Sequence, residues 1–248
     1  MKILVCISHV PDTTSKINFT NNNTEFDTNG VTFVINPYDE FGLTKAMMIK
    51  EATGGTVTVI NVGPASTEPT LRKALAIGAD NAVRVNAEPE DAYFVAKQLA
   101  AHAKDGGYDL IITGRESIDH NGGMVPGMLA EMMGLPFVNA CIGLELDGNS
   151  ATLVREIDGG KESLKADLPL LLAGQKGLVE EKDLRIPAMR GIMMARSKPL
   201  TAVEADGSET MTKVSSFESL PPKADCKMID AGSVDQLVQL LHNEAKVI

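Results

Sequence analysis

The chain has 248 residues, of which 44% are apolar and only 4% aromatic, and its formal net charge at pH 7 is −10. That length and apolar content suffice for one large domain with a buried aliphatic core. The negative charge disfavours a general binder of nucleic acid or anionic membranes, and because no run of about 18 apolar residues occurs, a membrane span is not expected. Three cysteines, Cys6, Cys141 and Cys226, have no metal-site spacing, so we expect free thiols in a reducing cytoplasm.

The first half of the chain, to about residue 136, alternates short apolar runs with helical patterns. The runs are typical of strands buried on both faces and comprise residues 3–7, 57–62, 82–85 and 110–112. The first run stops too early, without a small-residue cleavage site, to be a secretion signal. Helical patterns follow Pro37 and Ser66 and begin near Asp91. This alternation predicts an α/β fold with a doubly wound, mostly parallel sheet, whose ligands bind beyond the carboxyl ends of the strands.

The remaining segments have other patterns. Residues 13–34 are polar and rich in Asn and Thr, which predicts a loop with a short hairpin. Beyond Pro136, turns at 147–149 and 158–160 separate three short runs and predict an antiparallel meander, followed by a strand over 168–173. Residues 199–229 have few regular signals and predict an extended tail. A last helix is expected from Ser233, with Gln236 completing a capping box. A tail of this composition is expected to lie on a partner.

The most informative stretch is residues 114–136, GRESIDHNGGMVPGMLAEMMGLP, which joins an apolar run to a helical pattern. Free N–H groups at a helix start favour an anion, and Gly122 and Gly123 allow the backbone to approach a phosphate closely. The stretch is neither a Walker A loop nor a G-x-G-x-x-G motif. Since a plain tight turn would use similar residues, these residues alone leave an anion site and a turn as equal alternatives.

The chain offers no evident catalytic set. It contains no G-x-S-x-G motif, and Ser117, Asp119 and His120 are too close together on one loop to suggest a triad. The four histidines lack zinc-site spacing, so no metal site is expected. His9 is either a ligand contact or an exposed loop residue. What remains is a binding site at several strand ends, 6–9, 61–64 and 114–126, which suits a nucleotide.

In three motifs the chain resembles the β subunit of electron transfer flavoprotein. They are N-P-x-x-E from Asn36, G-P-x-x-x-x-x-x-L-R-x-A-L-A-x-G-A-D from Gly63 and G-x-x-x-I-D from Gly114, and the likeness extends to IPAMRGIMMARSKPL at 186–200. The resemblance implies an adenine nucleotide α-hydrolase-like fold and a heterodimer whose redox FAD is held mainly by an α subunit. It also implies an electron carrier without bond-making catalysis of its own. Electrons would come from flavin dehydrogenases, such as the acyl-CoA dehydrogenases of fatty acid β-oxidation, and pass to a quinone-linked acceptor.

The resemblance further implies a structural AMP in the β subunit, or a second FAD there in a bifurcating relative. The implied nucleotide contacts are Cys6, Ser8, Asn36, Val62, Gly63, Asp119, Asn121, Gly122, Gly123, Met124 and Val125. Many relatives continue the I-D turn with D-T-A-Q-V-G or N-Q-T-G, whereas residues 121–126 here read NGGMVP. A Gln-like side chain and a small hydroxyl are missing, which leaves backbone amides to hold the phosphate. Thr13 replaces a Tyr that approaches the flavin in some members.

Residues 182–198 correspond to the family's recognition loop, which docks partner dehydrogenases. Met189 takes the place of an anchoring Leu and is flanked by Arg190, Arg196 and Lys198. Without the resemblance, these charges would be interpreted as a solvated face. The expected organisation is a nucleotide-binding domain over 1–198 and an extension over 199–248 that packs on the α subunit. A stand-alone nucleotide-binding α/β protein is the alternative from another functional class.

Overall fold

A computed structural model describes residues 1–223 and 225–248, which divide into two compact units. The larger unit contains residues 1–17 and 27–215, and the smaller contains residues 18–26 and 216–248. None of the helices in these described ranges is long and apolar enough to cross a membrane.

The strands and helices follow one another in an α/β pattern. The strands are β1 (Lys2–Cys6), β2 (His9–Pro11), β3 (Phe19–Thr20), β4 (Glu25–Phe26), β5 (Phe33–Ile35), β6 (Thr56–Val62), β7 (Asn81–Asn86), β8 (Leu110–Gly114), β9 (Phe137–Asp147), β10 (Ser150–Ile157), β11 (Gly160–Asp167), β12 (Leu170–Gly174) and β13 (Leu200–Glu204). The helices are α1 (Pro37–Thr53), α2 (Glu68–Ile77), α3 (Ala92–Ala103), α4 (Val125–Met133), α5 (Met189–Ala195) and α6 (Val234–Leu240).

Within the described residues, nine strands form the main sheet in the order β11-β10-β9-β12-β8-β1-β6-β7-β13. The strands from β9 through β12 to β13 pair in parallel, whereas β9, β10 and β11 form an antiparallel meander. The chain runs from β1 outwards to β6 and β7, and then returns to β8 on the other side of β1. The strand order therefore reverses between β1 and β8, where ligands bind in doubly wound folds. The predicted fold class is confirmed.

Alternation along β1 builds two hydrophobic layers, one on each face of the sheet. Ile3 and Val5 pack in the layer that contains residues of α1 and α2, while Leu4 and Cys6 pack in the layer that contains residues of α3 and α4. Because both faces are covered, the central strands are apolar throughout. This explains why the short apolar runs predicted β1, β6, β7 and β8.

The predicted tail contains a strand that the sequence did not indicate. β13 pairs in parallel with β7 at the sheet edge, with Leu200 opposite Ala82 and Glu204 opposite Asn86. The prediction of an irregular segment was therefore wrong for residues 200–204. An edge strand with one covered face carries little apolar signal, and here Leu200 and Val203 are only half-buried. The extension was predicted to begin at 199, whereas residues up to 215 group with the larger unit.

The smaller unit contains the β3–β4 hairpin and α6. Phe19 stacks on Phe217 with ring centroids 4.8 Å apart, and the Phe217 N–H donates to the Asn23 carbonyl at 2.7 Å. The hairpin predicted within 13–34 is confirmed. α6 follows Ser233 as predicted, but the Ser233 side chain makes no capping hydrogen bond with the described residues, so the predicted capping box is wrong. At its other end, α6 continues into a short π-helix, Leu241–Ala245.

Candidate functional site

The ends of β1 and β6 separate next to the β1–β8 switch point, which leaves backbone groups of β6 without a strand partner. The last ladder bond is from the Ile7 N–H to the Ile60 carbonyl at 2.8 Å, and the Gly63 N–H donates on the other side to Val85 at 3.0 Å. Alternate residues of a parallel strand bond to opposite neighbours. Val62 therefore directs its N–H and C=O towards the side that β1 has left. This is the backbone edge on which a planar base can be bound.

Asn61 supplies a further polar group at the same place. Its Nδ2 donates to the Ile7 carbonyl at 2.8 Å, which fixes the orientation of the amide. Its Oδ1 is buried but accepts no hydrogen bond from the described residues. It is the one buried side-chain oxygen or nitrogen among those residues for which this is so. A Cβ on Gly63 would lie 2.5 Å from Thr67 Cγ2 and 2.7 Å from this oxygen, so glycine is required at this position. The β6 end thus holds a buried acceptor that a donor can satisfy.

Asp39, in the first turn of α1, connects the ends of two strands. Its Oδ2 accepts the Ser8 N–H at 2.7 Å and its Oδ1 accepts the Gly114 N–H at 2.8 Å. The side chain is 3% exposed, and burial raises the pKa of this carboxyl to about 7, although the hydrogen bonds oppose the shift. Asp39 therefore holds the β1 end beside the β8 end. No local sequence signal reveals these partners.

Asn36, a predicted nucleotide contact, binds the loop that follows β8. Its Nδ2 donates to the Glu116 carbonyl at 2.9 Å, and its Oδ1 accepts the Ile118 N–H at 3.3 Å. Its own N–H donates to the Ser8 carbonyl at 3.0 Å. The buried amide therefore positions the loop, the start of α1 and the end of β1 relative to one another.

The loop after β8 is closed by a small antiparallel bridge. Ser117 and Gly122 exchange N–H···O=C bonds of 3.1 and 3.2 Å, and Asn121 adopts a left-handed conformation with φ 49°. The Ser117 hydroxyl donates to Asp119 Oδ1 at 2.5 Å, while His120 donates only its backbone N–H to that carboxylate, so no triad is formed. The predicted nucleotide contacts Asp119, Asn121 and Gly122 therefore lie in a closed turn.

The loop leads directly into α4. Met124 is the N-cap residue, and its carbonyl accepts the Met128 N–H at 3.1 Å. N–H groups in the first turn of a helix have no intrahelical partner and favour an anion. Pro126 lacks an N–H, which leaves those of Met124, Val125 and Gly127 as the donors at this end. Of the predicted phosphate contacts, Met124 and Gly123 are exposed and Val125 is half-buried.

A buried arginine that the sequence did not indicate supports the β6 turn. Arg84 of β7 donates through Nη1 to the Gly63 carbonyl at 3.1 Å and to Asn86 Oδ1 at 2.8 Å. Its Nε lies 3.1 Å from Glu68 Oε1 at the start of α2. Since its side chain is 7% exposed, these bonds are shielded from water and fix the turn that carries Gly63.

Cys6 and His9, at and just beyond the end of β1, are packed against other parts of the protein. Cys6 is buried at the end of β1, and burial raises the pKa of its thiol, so it stays protonated at neutral pH. His9 stacks on Phe33 with ring centroids 4.3 Å apart, and its Nδ1 lies 2.8 Å from the Thr70 hydroxyl. His9 is half-buried, so the expectation of an exposed loop residue was wrong. Residues 1–223 and 225–248 contain no cluster of three or more His, Cys, Asp or Glu side chains arranged to hold a metal ion.

The predicted docking residues lie on and next to α5, apart from the strand ends. Met189 is 77% exposed, and Arg190 and Arg196 are exposed as well. Lys198 differs from them, because its Nζ donates to the carbonyls of Leu75 at 2.9 Å and Ala79 at 2.6 Å. Its ammonium group is thus bound to backbone carbonyls of this protein.

Comparison with known proteins gives a consistent result along the whole sequence. Residues 24–208 match the family described as "Electron transfer flavoprotein domain". The chain is 37% identical over 262 aligned residues to "Electron transfer flavoprotein subunit beta" of Bacillus subtilis (strain 168), covering all of both chains. It is 33% identical over 253 residues to the protein of the same name from Syntrophomonas wolfei, covering all of this chain and 98% of that one. It is 34% identical over 259 residues to the mitochondrial β subunit of Oryza sativa subsp. indica, again covering all of both.

Proposed function

Since the chain belongs to the electron transfer flavoprotein family, with β subunits as its full-length relatives, we propose that it binds AMP as a structural ligand and carries electrons together with an α subunit. The observation that carries the nucleotide part is that open backbone donors and acceptors lie at the end of β6 and at the start of α4, beside the β1–β8 switch point. The buried polar side chains at the strand ends, Asn36, Asp39 and Arg84, bind backbone groups and position them.

The residues at the strand ends fit an adenine nucleotide. Val62 offers a backbone N–H and C=O side by side, which match an acceptor nitrogen and an amino group on a purine edge. The unpartnered Asn61 Oδ1 is a further acceptor next to Gly63. The first turn of α4 offers amide donors for a phosphate without a basic side chain. Asn36, Asp39 and Arg84 fix the positions of the strand ends and of the loop before α4 relative to one another.

The redox part of the proposal requires a flavin held with the α subunit, and FAD supplies the electron acceptance and release when it is bound. This chain contributes one surface that binds the α subunit and another that binds the electron donor. In the smaller unit, Leu220 is 92% exposed, Met228 85% and Val234 62%. Apolar groups exposed in this number fit burial against a partner chain, which we propose is the α subunit.

The docking part of the proposal assigns α5 and its flanks to the electron donor. Ile186, Met189 and Met193 are 85%, 77% and 69% exposed, in a region that also contains Arg190 and Arg196. Flexible methionines surrounded by cations suit transient binding to acidic, apolar surfaces of several dehydrogenases. We propose acyl-CoA dehydrogenases as donors and a quinone-linked protein as the acceptor.

The proposal is tested by co-expressing the chain with an α-type subunit and extracting the bound nucleotides. We expect one FAD and one AMP per heterodimer. Two flavins and no AMP would instead place FAD in the β site and indicate a bifurcating carrier. A stable monomer without affinity for an α subunit, or an assembly free of adenylate after flavin reconstitution, would contradict the proposal.

Replacing Met189 with alanine tests the docking surface. We expect kcat/KM for reduction by an acyl-CoA dehydrogenase to fall about tenfold, because the variant loses a central apolar anchor. Flavin and nucleotide content should stay unchanged. Met211→Ala is the matched control, since Met211 is also 69% exposed but lies outside α5. Equal rates in the Met189 variant and the unmodified protein would refute the assignment of α5 to docking.

A further inference from the structure

The docking helix α5 is attached to α2 by two cations. Arg72 of α2 binds carbonyls at and just after the end of α5, and Lys198, which follows α5 in the chain, binds carbonyls at and just after the end of α2. Arg72 of α2 donates through Nη1 to the carbonyls of Ala195 and Lys198, both at 2.8 Å. In return, Lys198 donates through Nζ to the carbonyls of Leu75 and Ala79 at 2.9 and 2.6 Å. Arg72 and Lys198 together are called the exchange clamp below.

The clamp binds groups that the helices themselves leave open. The last carbonyls of a helix have no intrahelical donor and carry partial negative charge, so a cation there is favourable. Ala195 is the last residue of α5, and Leu75 lies in the last turn of α2. Each cation therefore caps the helix to which it does not belong. Such an arrangement fixes the two helix ends against each other more specifically than one ion pair would.

The contact between the helix backbones is close. A Cβ on Gly191 would overlap the Ala76 carbonyl oxygen, and Ala195, one turn later, is 3% exposed. These small residues, at positions i and i+4, form the face of α5 that packs on α2. Met189 and Met193 have the same spacing and are 77% and 69% exposed on the opposite side. The orientation that packs Gly191 on the Ala76 carbonyl is thus the orientation that exposes the methionines.

A short helix of this kind needs external support. α5 has seven residues, and isolated helices shorter than about 12 residues are marginal in water. Burial lowers the pKa of Lys198, as expected for an ammonium group withdrawn from water, and its bonds to two carbonyls compensate for part of that cost. Lys198 is also adjacent to Pro199, whose carbonyl accepts the Ala82 N–H at 3.0 Å where β13 begins. The clamp is therefore anchored in the sheet.

We propose that Arg72 and Lys198 are positioning residues that hold α5 in a preformed docking conformation for the electron donor. This inference rests on the proposed function, because it takes α5 to be the docking surface. A preordered surface avoids the entropy cost of ordering α5 during each encounter. Loss of either cation should therefore weaken donor binding and leave electron transfer in the formed complex unchanged.

The test compares Arg72→Met and Lys198→Met with Lys73→Met in the co-expressed heterodimer. Methionine keeps the aliphatic packing and removes the donors. Lys73 is the matched control, because it is the neighbouring cation on α2 and its Nζ pairs with Glu40 at 2.9 Å instead of with α5. The readouts are KM and kcat with an acyl-CoA dehydrogenase, amide hydrogen exchange in α5, and flavin and AMP content.

For both clamp variants we expect KM to rise roughly five- to tenfold with kcat unchanged, and α5 to exchange faster, while the Lys73 variant behaves like the unmodified protein. The double variant should be less than additive, because either loss already frees the helix end. Faster exchange in α5 without a change in KM would overturn the positioning role, as would an equal rise in KM for Lys73→Met. If the unmodified heterodimer accepts no electrons, the proposed function itself fails. If the unmodified heterodimer accepts electrons and the clamp variants have the same KM, only the inference about the clamp fails.

Discussion

Gly114→Ala is expected to destabilise the protein by about 1–3 kcal/mol and to remove most of the bound nucleotide. A Cβ at this position would overlap Asp39 Oδ1 and would lie 2.8 Å from Tyr38 Cβ and 3.1 Å from Asn36 Nδ2. None of these atoms can move freely, because Asp39 and Asn36 are bound to the β1 end and to the loop after β8. To accommodate the methyl group, the start of α1 must move away from β8. The strand ends and the loop that form the proposed nucleotide site would then shift relative to one another.

Gly122→Ala is the matched control in the same loop. A Cβ on Gly122 meets nothing within 4 Å, and the residue is not in the left-handed region, so alanine fits without strain. Both variants are compared by the midpoint of urea unfolding, and the Gly114 variant also by AMP per heterodimer, because Gly122 is itself one of the predicted phosphate contacts. An unchanged midpoint and full AMP content in the Gly114 variant would show that the proposed site at the strand ends tolerates displacement of α1. Equal losses in both variants would indicate that the loop as a whole is sensitive, and not the contact with Asp39.

The sequence predicted those parts of the fold that have a continuous local pattern. The central strands β1, β6 and β8 are buried on both faces, so their apolar runs are unbroken and easily recognised. Gly148 and Gly159 adopt the left-handed conformation at the tips of the predicted meander, which turn chemistry anticipates. β13 was missed because an edge strand is defined mainly by its partner, and residues 200–204 lack a pattern of their own.

The sequence predicted that the strand ends come together, but it did not predict the side chains that support them. Strand ends that alternate with helices must meet at one edge of a parallel sheet, which is why residues 6–9, 61–64 and 114–126 were expected together. Asp39 and Arg84 were missed because their partners are mostly distant in sequence. Asp39 binds backbone groups 31 and 75 positions away, and Arg84 binds a carbonyl 21 positions away. A polar side chain that binds backbone atoms imposes no residue type on its partner, so the sequence carries no paired signal.

Asp39 also makes the stability of the protein depend on pH in a direction that is unusual for a carboxylate. Burial raises its pKa to about 7, compared with about 3.9 in the unfolded chain. Between these values the folded protein binds one more proton than the unfolded protein, so the free energy of unfolding decreases as pH rises. This contribution is fully present below about pH 4 and is lost as pH rises through about 7.

Asp39→Asn removes the ionisation and keeps the shape, although its NH2 group must face either the Ser8 or the Gly114 N–H. We expect the variant to be less stable than the unmodified protein at pH 5 by about 1–3 kcal/mol, the cost of the mismatched donor. Between pH 5 and pH 8 the unmodified protein should lose on the order of 3 kcal/mol relative to the variant, which narrows or reverses the difference. Urea unfolding at both pH values measures each quantity.

Glu40→Gln provides the control for this pH dependence. Glu40 is the next residue of the same helix turn, but its carboxylate is partly exposed and pairs with Lys73 at 2.9 Å. This substitution should leave the decrease in stability between pH 5 and pH 8 intact. Parallel stability curves for the Asp39 variant and the unmodified protein would mean that the Asp39 carboxyl ionises as it does in water. The N–H groups of Ser8 and Gly114 would then compensate for the whole desolvation cost, and an ionised Asp39 would connect the β1 and β8 ends at every pH in this range.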